Sequence, residues 1–183
     1  MKKNLIAIIL FIQIGNLFCQ SAGWDTIHNV SPNYTFSLPG TPLMRDTLGV
    51  KLFLYSANST AGFQVIQYSY AGADSTNAAF NSAIALTGND TLAALVNTLV
   101  SAGNSTINTT QNILTVAGYQ GKEISLTYNV QDAGRSVIAN VRYYYKQNTL
   151  ITFTVGGLQA NRISLDAYKT QFFNSIIFGN VSP

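Results

Sequence analysis

Strict alternation of apolar and polar residues between positions 124 and 155 constrains this chain more than any other feature. Ile124, Leu126, Tyr128 and Val130 alternate with Ser125, Thr127 and Asn129. After the turn residues Asp132, Ala133 and Gly134, Val137, Ala139, Val141, Tyr143 and Tyr145 fall on one side of a second strand. Ser136, Asn140, Arg142 and Lys146 fall on the other. Gln147-Asn148 turns the chain again, and residues 149 to 155 run back. A period of two is the mark of an extended strand, and a one-residue slip would move every apolar side chain to the wrong face. The expectation is a three-strand antiparallel meander with the Val137 to Tyr145 set inward.

Other segments extend the sheet. Asp25 to His28 reads as a short strand, and Tyr34, Phe36 and Leu38 alternate with Thr35 and Ser37 until Pro39, Gly40 and Pro42 stop them. Residues 48 to 55 and 63 to 70 read as two strands split by a polar turn at 58 to 62. The period then changes. Phe80, Ala83 and Ile84 suggest one helix; Leu92, Leu95, Val96 and Leu99 suggest a second, capped by Asp90. Ile113 to Val116 returns to strand. Leu165, Tyr168, Phe172 and Ile176 share a helical face, and Ile176 to Phe178 forms a closing strand. The fold class expected is α+β: a twisted antiparallel sheet of about six or seven strands, covered by helices.

The amino end reads as a leader. Lys2 and Lys3 precede an apolar run from Leu5 to Phe18, which at roughly 14 residues is too short for a permanent membrane span. Residues 1–20 are expected to be a secretory signal, cut between Cys19 and Gly23, and residues 21–183 a single domain. Export to the periplasm or the extracellular space follows. Cys19 stands where a lipoprotein's acylated cysteine would, but Phe18 and Asn16 depart from that pattern. With one cysteine the domain forms no internal disulfide.

Charge excludes nucleic acid as a partner. The formal +3 includes the two leader lysines, so eight basic residues face seven acidic ones in the exported part. Phosphate-backbone binding needs clustered cations. Asn-x-Ser/Thr triplets begin at Asn29, Asn33, Asn58, Asn89, Asn104, Asn108 and Asn180. In a eukaryotic secreted protein these are candidate glycan acceptors; chance in a chain rich in Asn and Thr is the reading preferred.

Chemistry-bearing residues are few. His28 is the sole histidine, so neither a zinc site nor a Ser-His-Asp arrangement is well supplied. No cofactor motif is present: Gly118 and Gly121 lack the Lys-Ser/Thr ending of a phosphate loop. The acids are Asp25, Asp46, Asp74, Asp90, Glu123, Asp132 and Asp166, mostly at caps and turns. A hydrolase would need two of them together, Asp46 with Glu123 being the pair considered. Aromatics are richer. Tyr144 shares a strand face with Arg142 and Lys146, so these three are the candidate ligand- or partner-binding residues. The alternative for the same face is a covering helix with snorkelling cations.

Three segments resemble one family. Phe36-Ser37-Leu38-Pro39-Gly40-Thr41-Pro42 looks like the opening of PsbP-like domains, and Gly118-Tyr119-Gln120-Gly121-Lys122-Glu123 like their central turn. Phe172-Phe173-Asn174-Ser175-Ile176-Ile177-Phe178 looks like their closing helix-to-strand segment, and Trp24 suits the pattern. The resemblance implies an α/β/α sandwich. It also implies docking rather than catalysis, since members include the extrinsic photosystem II subunit, a Ran-binding import factor and exported bacterial proteins of unknown role. The expected function is an exported non-enzymatic binding or assembly module whose partner is another envelope or extracellular protein; a carboxylate-pair hydrolase is the alternative.

Overall fold

A computed structural model describes residues 23–47, 50–58, 60–69, 105–130, 134–146 and 149–179. Ten strands, one α-helix and a short 3-10 turn lie within them. The strands form two sheets rather than the single one expected. β1 (Asp25–Asn29), β2 (Tyr34–Leu38) and β10 (Ile177–Phe178) make a three-stranded sheet ordered β1-β2-β10. The remaining seven are β3 (Leu43–Thr47), β4 (Val50–Ala57), β5 (Ala61–Ser69), β6 (Ser105–Val116), β7 (Tyr119–Val130), β8 (Arg135–Lys146) and β9 (Thr149–Leu158). Their order is β3-β4-β5-β9-β8-β7-β6. All pairings are antiparallel.

Pro39 to Pro42 causes the division. Proline cannot donate to a ladder, so the chain leaves the small sheet after Leu38 and restarts at Leu43. Gly40 has φ +150° and lies flat against Tyr55, where an added Cβ would stand 2.8 Å from the ring. The Tyr55 hydroxyl donates to the Pro39 carbonyl at 2.7 Å, which ties the crossing to β4.

The meander from β7 to β9 forms as read, and β6 precedes it as a longer strand than its apolar tip suggested. Ala117 and Gly118, both at positive φ, make the two-residue turn from β6 to β7. β9 then closes the large sheet against β5, in register from Gly62–Gly156 to Ser69–Thr149. The two helices expected from Phe80 and from Asp90 lie outside the described residues.

The helix α1 (Arg162–Asn174) buries Leu165, Phe172 and Phe173 and crosses β9, β8 and β2. Together with the small sheet it covers one face of the large sheet. Phe36, at the centre, meets the rings of Phe53, Phe153 and Phe172. The covered face carries Ile138 and Tyr144 of β8, not the Val137 set expected to point inward. The opposite face is buried as well: Ile124, Leu126 and Ala139 pack there with Tyr128. Both faces of β8 are therefore interior, which alternation alone does not distinguish from one dry face and one wet face.

A polar network joins the sheets at one end. Gln67 Oε1 accepts from Asn29 Nδ2 and from the Tyr34 hydroxyl, each at 3.1 Å. Gln67 Nε2 donates to Ser31 O and Ser69 Oγ. At the other end, the Ser37 N–H donates to Ser175 Oγ at 2.8 Å, and that hydroxyl donates to Phe172 O at 2.7 Å. One serine thus links the end of α1 to β2.

Candidate functional site

The β7–β8 register places Glu123 opposite Arg142 on the helix-covered face. Glu123 is 5% exposed, the one buried charged residue among those described. Its Oε2 accepts from Arg142 Nη2 at 2.6 Å and from Nε at 3.1 Å. Its Oε1 meets Lys169 Nζ of α1 at 2.6 Å. Arg142 Nη1 donates to the Phe173 carbonyl at 3.1 Å, satisfying one of the last acceptors of the helix. The guanidinium lies 4.6 Å from the centre of the Phe173 ring. Burial alone would raise the Glu123 pKa; the hydrogen bonds and charges of Lys169 and Arg142 outweigh it and hold the carboxyl below its ordinary value. One anion thus fastens α1 to β7 and β8.

Two of the three candidate contact residues have described side chains, one buried and one partly exposed. Tyr144 is 4% exposed, its ring 4.7 Å from that of Phe178 and 6.0 Å from that of Phe153. It belongs to the core and is not a surface aromatic, because the small sheet and α1 close over its face. Burial raises its pKa, while the charge and hydrogen bond of Arg142 lower it. Arg142 keeps about a fifth of its side chain exposed. Lys146 pairs through its backbone with Thr149 at the end of β8, and its side chain lies outside the described residues. Around Arg142 and Tyr144 this face is covered by the helix and holds an internal ion cluster.

Asp46 does not meet Glu123. They stand on β3 and β7, five strand steps apart, roughly 24 Å at the usual spacing. Asp46 is exposed and pairs loosely with Lys51 at 4.0 Å. Asp25 accepts from Thr41, and Asp166 pairs with Arg162 within α1. His28 is exposed on β1, level with Thr35 of β2. Of the Asn-x-Ser/Thr positions, Asn29 is buried with its amide spent on Pro32 O and Gln67, whereas Asn33 and Asn58 are exposed at turns. Among the described residues, no cluster of three or more His, Cys, Asp or Glu is disposed to hold a metal.

Sequence reasoning missed Lys169 and Phe173 as members of the cluster. A signal for Glu123 and Arg142 was available: a turn centred near Ala133 puts these two residues directly opposite. Nothing local announced Lys169, whose role depends on how α1 lies. Asn140, two residues from Arg142 on the same face, is 2% exposed with no partner for its Nδ2.

The arrangement defines an α+β fold of two sheets in which, among the described residues, a buried ion cluster holds the helix α1 in place. The chain is similar in structure to cyanobacterial PsbP from Synechocystis, the family its sequence segments resemble: 14% identity over 90% of this chain and 99% of that one, TM-score 0.49. It is similar to LpqN, involved in cell envelope biogenesis in Mycobacterium tuberculosis, at 10% identity over 86% of this chain and 91% of that one, TM-score 0.46. A Pseudomonas aeruginosa protein of unknown function is similar at 11% identity over 82% and 93% of the two chains, TM-score 0.44. No protein-family model matches the chain, and no curated sequence matches it. No described helix is long and apolar enough to cross a membrane.

Proposed function

We propose that this chain is an exported, non-enzymatic docking module for another envelope or extracellular protein. The observation that carries the reading is the fate of Glu123. A carboxylate buried and held ionised by two cations is a poor general acid, and both its oxygens are occupied. Its protein partners belong to α1 and β8, so its work is to hold the fold. The leader-like amino end supports export of residues 21–183 as one domain, and Phe18 and Asn16 speak against acylation at Cys19.

In this reading the contact region proposed from the sequence narrows. The exposed edge of Arg142 reaches a partner, Lys146 stands further along the same strand, and Tyr144 holds the guanidinium from the core side through a hydrogen bond. The test is cross-linking in the native envelope followed by mass spectrometry, beside a panel of ester, amide and glycoside substrates. A specific partner with no turnover is expected. Turnover without any partner would replace this reading with an enzymatic one.

A further inference from the structure

Each sheet ends in two outer strands, and three of the four are poor acceptors for another chain. β10 has two residues. β6 is interrupted by register shifts between Ile107 and Thr109 and between Ile113 and Val116, and such bulges twist an edge away from further pairing. β1 presents Thr26 and His28, and its Asp25 is bonded to Thr41. β3 differs. Like β1 it pairs through five consecutive residues with no shift, here with β4, but the side chains it exposes include large apolar ones. Leu43 and Met44, neighbours on opposite faces, are 55% and 62% exposed. Of the devices that protect such an edge, β3 lacks proline, lysine and a bulge and carries only the charges of Arg45 and Asp46, of which Asp46 is already paired.

We infer that β3 is an acceptor edge to which an extended segment of a partner protein adds as an eighth strand, with an acidic side chain opposite Arg45. This rests on the docking reading and names a second contact surface and the chemistry that fits it. Charge selects the occupant. Arg45 is exposed and has no ion pair or hydrogen bond among the described residues, whereas Asp46 already has Lys51 at 4.0 Å. The unanswered charge is the cation. An added strand contributes backbone hydrogen bonds, apolar residues opposite Leu43 and Met44, and one carboxylate facing Arg45.

A second copy of the chain fits poorly. Two β3 strands paired about a two-fold axis must place some residue opposite itself. Centring on Arg45 or on Asp46 sets like charges face to face. Centring on Met44 puts Leu43 opposite Arg45, and no acid reaches the guanidinium. A different partner satisfies the edge better than self-association does.

The experiment uses the exported chain, isotopically labelled, titrated with a blocked peptide Thr-Thr-Glu-Ile-Val-Thr and with its Glu-to-Lys counterpart. Saturable amide shifts centred on residues 43 to 46, with the acidic peptide preferred by roughly tenfold, are expected. Arg45→Glu, an exposed change that leaves the circular dichroism spectrum intact, reverses that preference. Shifts at β1 or nowhere, equal binding of both peptides, or a dimer sealed through β3 overturn the inference. In envelope cross-linking, a partner captured equally by wild type and Arg45→Glu sinks the β3 edge and leaves docking standing. Failure of both peptide binding and capture sinks the two together.

Discussion

Glu123 decides more about this molecule than any other side chain. Removing Arg142 leaves a buried carboxylate with one partner fewer and takes the shorter of two hydrogen bonds from the Phe173 carbonyl, which keeps the Ile176 N–H at 3.5 Å. Arg142→Ala should cost about 3 kcal/mol, the low end for a broken buried pair because Arg142 retains some solvent, read from urea unfolding. The pH dependence has a definite sign. Glu123 sits below its unfolded value of 4.5, so its contribution is complete above that value and is lost as pH falls through the lower, folded one. Wild type should lose stability on acidification through that window. Glu123→Gln should start less stable at pH 7 and show a flatter acid limb, and equal slopes would contradict the assignment. Gln67 is the uncharged counterpart. Replacing it with leucine strips partners from Asn29 and Tyr34 together, and a loss of about 2–4 kcal/mol is expected in the same assay. Phenol titration gives a further check: burial pushes Tyr128 up to about 12, so its absorbance change should come late in an alkaline scan.

Elements in this fold are held by close backbone approaches that composition does not advertise. The β4–β5 hairpin tip places the Thr60 carbonyl over Gly157 of β9, where any Cβ would collide with it. Gly157→Ala should therefore cost about 1–3 kcal/mol by forcing the tip aside, with thermal unfolding as the measure, although alanine would ordinarily favour the backbone there. Ser175 is a milder case. Its hydroxyl joins the end of α1 to β2, and Ser175→Ala should cost about 1–2 kcal/mol in that measurement. The meander was legible because each strand keeps its period for many residues. β3 was not legible: five residues with adjacent charges carry too little period, and the Pro-Gly-Thr-Pro segment before them reads as a stop rather than as a crossing between sheets.

Across the whole domain, aromatic side chains make the two sheets and the helix one cooperative body. Trp24, ahead of β1, packs on Phe63 of β5 and Tyr168 of α1. Its fluorescence thus reports contact among all three layers. Fluorescence and far-ultraviolet circular dichroism should give coincident unfolding curves, and an earlier fluorescence transition would mean that the small sheet detaches first. From sequence came the antiparallel strands, the terminal helix with its apolar face, the turn residues and the scarcity of reactive groups. These are local properties, set by side-chain period and backbone freedom within a few residues. Folding in three dimensions decided that Pro39 to Pro42 divides two sheets, that both faces of β8 are interior, that Tyr144 is core and that Lys169 completes a charge cluster with Glu123. Those outcomes depend on which distant surfaces meet, and the free energy of such meetings belongs to pairs of segments rather than to either one alone.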